Sequence, residues 1–260
     1  MLASVTLPAY ADSGLDVPRY GRIHTIDLGV ANQFSLLAGT AIVTGASNVL
    51  PFNIGAGAAI TTGAGNDISG NLSGSAAITT GAGNTITGSV DAGAALTVGA
   101  SNAISGSQHF DVATPIPVYA TAMEALANAM ADAISRPATL KATELGGTTL
   151  ETGIYSTPTY FTLTGTLTLD AKGNPDAVFI MRSSGYVSTA AGSEVKLENG
   201  ANASNVFWVT GSYFTAGAGA LLAGNVLAAG DVTLGAGAEF TGHIFSQSGS
   251  ITLGADVTIK

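Results

Sequence analysis

Thr61, Thr79 and Thr97 stand 18 residues apart, Thr215 and Thr233 repeat that interval, and Thr252 follows 19 residues later. Thr162 and Ser188 precede Thr215 in the same local pattern, each directly after an apolar residue. A threonine offers a hydroxyl that can anchor a water, a methyl that water can only surround, and a stiff χ1 that holds both in place. Repeated at a fixed interval, such side chains make an array of identical contacts rather than a reacting centre. Threonine is also an ordinary residue on the outside of a strand, so the array acquires meaning only from the elements that hold it.

A reacting centre would need other residue types. His24, His109 and His243 are the only histidines, and none has a paired histidine or a metal-ligand spacing. The absence of cysteine removes thiolate catalysis and disulfide staples. Asp170, Asp176, Glu194 and Asp231 are scattered, whereas polysaccharide cleavage would need clustered carboxylates. Gly63-Ala64-Gly65 and its relatives lack the lysine and following helix of a phosphate loop, and the repeats lack the calcium-coil pattern. The chain therefore reads as no enzyme, with no cofactor and no metal. With 10% charged residues, a net charge of -9 and a pI near 4.5, it lacks the basic footprint of a nucleic-acid binder. No uninterrupted apolar run approaches the ~20 residues that cross a bilayer. Met1 to Tyr10 has no basic or apolar signal region, so a secretion signal is expected to be absent or removed.

The elements that position the threonines follow from the same interval. Ile42, Ile60, Ile78 and Leu96 align at 18 residues, as do Gly45, Gly63, Gly81 and Gly99, then Asn48, Asn66, Asn84 and Asn102. A fixed period of this length marks a solenoid, whose coils bury their apolar side only by stacking. Within a repeat the alternation is of period 2 and breaks about every six residues, giving three short strands per coil and a triangular parallel β-helix. Gly and Asn are expected to supply corners with positive φ.

In chain order, residues 1–27 read as an irregular cap over the first coil, and residues 28–260 as one solenoid domain. First-half coils occupy 41–106. Between about 115 and 135 the pattern becomes helical, with Met123, Leu126, Ala127, Met130 and Ile134 in one stripe and Pro137 after it. Second-half coils occupy 146–260. An outward column of Phe179, Phe207, Leu227 and Phe245, flanked by inward Val178, Val206, Val226 and Ile244, is apolar on both sides and should be covered by the helix. Trp208 is expected to point inward.

Two faces remain. One reads Tyr160-x-Thr162, Tyr186-x-Ser188, Tyr213-x-Thr215, Asp231-x-Thr233 and Ser250-x-Thr252, with first-half counterparts Ala41-x-Val43, Ala59-x-Thr61, Ala77-x-Thr79 and Ala95-x-Thr97. It is nearly free of charge. The other holds Thr85, Thr87, Thr166, Thr168 and Thr241 together with Asp67, Glu194, Lys196 and Glu239.

Several blocks resemble the microbial ice-binding protein family. They are Phe34 to Gly39, Glu144-Leu145-Gly146-Gly147, Leu163 to Ala171, Asn174 to Ile180, Asn199-Gly200-Ala201 and Asn205-Val206-Phe207-Trp208, with a helix ending at Arg136-Pro137. The resemblance implies a right-handed β-solenoid, mostly β, with one long α-helix packed along one face. It implies a partner, ice, that is recognised by geometry: a flat grid orders water into an ice-like layer, giving thermal hysteresis and inhibiting recrystallisation. Charges would hold that water in another arrangement. The expected ice-binding residues are therefore Thr61, Thr79, Thr97, Thr162, Ser188, Thr215, Thr233 and Thr252, and the second choice is the face of Thr85, Thr87, Thr166, Thr168 and Thr241. Many family members carry an irregular insertion before the helix, where regular coils stand here. A secreted monomer is expected; a carbohydrate-binding structural or adhesive β-helix of the cell surface is the alternative.

Overall fold

The computed structural model describes residues 23–111 and 117–260. Short strands alternate with corners, three per coil, and form three parallel sheets of 11, 9 and 10 strands. Ile42, Ile60, Ile78, Phe214, Val232 and Ile251 turn inward to the core between the sheets. Successive outward positions carry threonine, as the two-residue alternation of a strand requires.

The stacking order differs from the chain order. The first coil, with strands Phe34–Ala38, Ile42–Thr44 and Val49–Leu50, lies in the middle of the stack. On one side it pairs with the second coil and on the other with the strands at Ile244–Ser246, Ile251–Leu253 and Thr258–Ile259. The first half climbs from there to Gln108–His109; α1, Pro117–Ser135, runs back along the stack; the second half then climbs toward the first coil. A cap over the first coil is not what the described part of the leading segment provides, because that coil has neighbours on both sides. Ile23, Ile26 and Leu28 pack with α1 instead; residues 1–22 lie outside the described residues. Pairing also reaches beyond the regular repeats, back to Phe34 and on to His109 in the first half, and back to Thr139 in the second.

Positive φ at corner glycines is found at Gly65 and Gly83, but not in the aligned glycine and asparagine columns. Gly45, Gly63, Gly81 and Gly99 do not have positive φ; that conformation falls on Ser47, Gly65, Gly83 and Ser101. The aligned glycines answer a different need, close approach between coils. A Cβ on Gly81 would lie 2.7 Å from the carbonyl carbon and oxygen of Gly63. The asparagine column is a buried ladder: Asn66 Oδ1 accepts from Asn48 N and Nδ2, both at 2.9 Å, and Asn84 Oδ1 does the same for Asn66. Each Nδ2 also donates to the carbonyl of the glycine three residues before it.

A second core lies between α1 and the 11-stranded sheet. Tyr119, Ala122, Leu126, Ala129, Met130 and Ala133 meet Leu37, Ile180, Phe207, Val209, Leu227 and Phe245. The expected helix stripe is therefore rotated: Ile134 is 57% exposed, and small alanines let the helix approach the sheet. The expected outward column also shifts. Phe179 faces the inner core and Val178 the helix side, the reverse of the reading from alternation. Phe207 and Leu227 are not cross-strand partners either, since Phe207 pairs with Asn225 and Leu227 with Val209. Trp208 is buried inside the solenoid, and its Nε1 donates to Ala223 O at 3.0 Å. At the far end of α1, Arg182 Nη1 donates to the carbonyls of Ala133, Ile134 and Arg136 at 3.0, 2.6 and 2.9 Å, satisfying groups that a helix terminus leaves open.

Candidate functional site

The nine-stranded sheet carries one outward residue at the centre of each strand. In stacking order these are Thr97, Thr79, Thr61, Val43, Thr252, Thr233, Thr215, Ser188 and Thr162, each in register with the next. All eight residues of the first-choice set thus fall into a single row, and Val43, paired with Thr252, is the link that joins the two halves. Adjacent strands of a sheet lie ~4.8 Å apart, so the row repeats at that interval.

The residue two positions earlier lines one flank. It is Ala95, Ala77, Ala59 and Ala41 in the first half, then Ser250, Asp231, Tyr213, Tyr186 and Tyr160. The three tyrosine rings stack face to face, with centroids 4.9 and 4.7 Å apart and planes within 5°. Burial between its two neighbours, and their charge when ionised, push the Tyr186 hydroxyl above its ordinary pKa. Asp231 Oδ1 accepts Ser250 N at 2.8 Å.

Beyond the last strand, Glu144 forms a parallel bridge with Thr162 and so holds the tenth position of the row. Its Oε2 accepts the hydroxyls of Thr162 and Thr164 at 2.9 and 3.3 Å, and its Oε1 the amides of Gly146 and Thr164 at 2.6 and 2.9 Å. Burial raises the Glu144 pKa, but these four hydrogen bonds outweigh it and hold the carboxyl below its ordinary range. Within the described residues, Thr162 is alone among the row hydroxyls in bonding to the protein, which leaves the others to solvent. Glu144 had no assigned role in the sequence, although it stands 18 residues before Thr162, the interval that defines the column.

The second-choice threonines meet a different neighbourhood on the ten-stranded sheet. Thr85 pairs with Asp67, Thr166 with Glu194, and Thr168 with Lys196, while Thr241 pairs with Ala223. Thr87 follows the strand Thr85–Ile86 and is exposed. Ion pairs of Lys196 with Glu198, along one strand, and of Lys260 with Glu239 lie on the same sheet. The histidines stay apart. His109 Nδ1 lies 2.6 Å from Asp91 on the 11-stranded sheet, and His243 packs between Phe52 and Phe245. Among the described residues no group of three His, Asp or Glu could hold a metal, and no helix is long and apolar enough to cross a membrane.

A parallel β-solenoid with an uncharged central hydroxyl row on one side and a helix on another is thus the class that fold and site define. The chain belongs to the Ice-binding-like family, whose profile matches residues 54–259. It is 41% identical over 119 residues to ice-binding protein 1 of Shewanella frigidimarina (strain NCIMB 400) and 40% identical over 111 residues to an ice-binding protein of Nostoc sp. (strain HG1). These matches take in 45% and 42% of this chain but only 13% and 41% of those proteins. The solved domain of the Shewanella protein superposes with a TM-score of 0.65 at 28% identity, covering 92% of this chain and 98% of that one. An ice-binding protein from an Arctic yeast, solved as a basis for antifreeze activity, gives 0.67 at 25% identity over 90% and 93%.

Proposed function

We propose that this protein is a non-enzymatic antifreeze protein that binds ice through the face of the nine-stranded sheet that carries the hydroxyl row. The observation that carries the reading is the unbroken register from Thr97 to Thr162 across both halves of the solenoid, nine positions with no charged residue among them. Ice presents water at regular intervals, and a rigid sheet presents hydroxyls and methyls at the strand interval of ~4.8 Å. Each free hydroxyl anchors a water, each methyl favours a cage of water beside it, and the layer formed in this way merges with the crystal. Growth between adsorbed molecules bulges outward, and the curvature lowers the local freezing point. Thermal hysteresis and inhibition of recrystallisation follow. The protein acts as a secreted monomer on ice outside the cell.

Binding of carbohydrate would make use of the tyrosines at the edge of this face. The inner faces of the stack are occupied by one another, however, with Tyr186 covered on both sides, which favours the ice reading. The experiment is a single ice crystal held in the protein solution and cooled slowly below its melting point. An arrested, faceted crystal is expected; a smoothly growing disc around folded protein would overturn the reading. Thr79→Tyr is expected to remove most of the hysteresis and Thr241→Tyr, on the charged sheet, to leave it unchanged.

A further inference from the structure

The row is continuous, but its two ends are not equivalent. Thr97, Thr79, Thr61 and Thr252 are exposed, and Val43 between them is 43% exposed. Thr233, Thr215, Ser188 and Thr162 are only half-exposed. This division follows the flanking residue. Beside the exposed members stand Ala95, Ala77, Ala59, Ala41 and Ser250, whose side chains end at or just past Cβ. Beside the half-exposed members stand Asp231 and the stacked rings of Tyr213, Tyr186 and Tyr160, which extend well beyond Cβ.

A second observation separates the same end independently. The Thr162 hydroxyl is already committed to Glu144, and the carboxylate organises four donors around itself at the foot of the row. A charged group that collects donors imposes its own arrangement on nearby water. The tyrosine stack along the side and the carboxylate at the foot enclose one end of the row, while the other end is flat and uncharged.

Resting on the ice-binding reading, we propose that contact with ice is confined to Thr97, Thr79, Thr61, Val43 and Thr252, and that Tyr160, Tyr186, Tyr213 and Glu144 bound this area rather than belong to it. The tyrosines set the extent of the contact: rings that stand above a flat row keep a rigid crystal plane away from the hydroxyls beneath them. Regular repeats of the first half, together with the last coil docked against them, then supply the recognition. Irregular coils of the second half supply the scaffold and the anchorage for α1.

Two sets of variants test this, with hysteresis measured at equal concentrations of protein shown to be folded by circular dichroism. Thr79→Tyr is expected to lose most of the hysteresis gap, whereas Ser188→Tyr, which adds one ring beside three already present, is expected to keep it. Equal losses in the two would overturn the boundary and leave the ice-binding reading intact. A wild-type protein that fails to shape ice would instead remove that reading. The triple variant Tyr160→Ala/Tyr186→Ala/Tyr213→Ala gives the lower end the flank of the upper one. It is expected to widen the gap and to make Ser188→Tyr damaging in its background. A folded triple variant with a narrower gap would show that the tyrosines belong to the contact and would overturn the proposal. Should the triple variant not fold, the Thr79 and Ser188 pair still decides.

Discussion

The side-chain carbonyl of Asn48 accepts the backbone N–H of Val257 at 2.8 Å, joining two coils that lie 209 positions apart in sequence. The same residue donates to Gly45 O and to Asn66 Oδ1, so it ties the last coil to the first and the first to the second. In Asn48→Ala the buried Val257 amide and the Gly45 carbonyl lose this partner, at an expected cost of ~2–3 kcal/mol. Val43 and Thr252 sit on the coils so loosened, and hysteresis should fall with stability. Asn102→Ala, in the outermost coil where water can substitute, should cost less. Urea unfolding of the two variants checks the difference.

Gly81 and Gly83 are close in sequence and opposite in what they require. A Cβ at Gly81 would press on the backbone of the coil below, while at Gly83, with φ of +69°, nothing lies within 4 Å. Gly83→Ala is expected to lose ~1–2 kcal/mol from backbone strain alone. Gly81→Ala is expected to lose about 3 kcal/mol, the upper end of overpacking costs, because two backbones must separate. Since Thr79 is two residues away, only the second change should also narrow the hysteresis gap. Equal denaturation midpoints would refute this account of the corner.

These corners show how far the sequence could be read. Spacing alone aligned Gly81 with its relatives, but it could not say whether the column served φ or close approach, because both select glycine. Alternation assigned the outward threonines correctly within each half, since Thr61 and Thr233 each follow an inward apolar residue, Ile60 and Val232, and precede another buried one, Thr62 and Leu234. It failed at Val178-Phe179-Ile180-Met181, a strand buried on both faces, where pattern has no phase and the register with Val206 and Phe207 decides. Stacking order was also hidden: nothing local to Val43 or Thr252 says that they are neighbours. Glu144 went unassigned for a related reason, since a carboxylate in a threonine column looks like a break in the pattern rather than its end.

Arg182 fixes the C-terminal end of α1 to the solenoid by reaching three of its carbonyls. Arg182→Met keeps the aliphatic stem and removes the donors, and is expected to cost ~2 kcal/mol. The loss should be local. Hydrogen exchange of the amides near the end of α1 is expected to accelerate, while hysteresis per folded molecule stays unchanged because the row lies on another sheet.

Acid should destabilise the protein in two stages. Burial pushes the His243 pKa below its ordinary 6.5, against an opposing hydrogen bond to Phe34 O. The unfolded chain therefore binds the proton more readily, and stability declines as pH falls below about 6.5. Asp170, held by Asn199 and Lys172, titrates at about 2 rather than 3.8, and Glu144 is also lowered. The Asp170 contribution is lost as pH falls from 3.8 toward 2, and that of Glu144 fades as pH falls below its ordinary 4.5. His243→Gln is expected to abolish the first stage and leave the second, which melting temperatures measured across the acid range would reveal.

The central position of the first coil also shapes how the molecule comes into being. During synthesis the early repeats can stack on one side of that coil, but its other side waits for residues 244–259. At 5–20 residues per second the wait from Leu50 to Ile259 lasts about 10 to 40 s. Throughout it, Phe34–Ala38, Ile42–Thr44 and Val49–Leu50 offer three open strand edges, which can template pairing with a neighbouring nascent chain. A product truncated before Ile244 would keep those edges permanently, and aggregation rather than loss of secondary structure would be its mark.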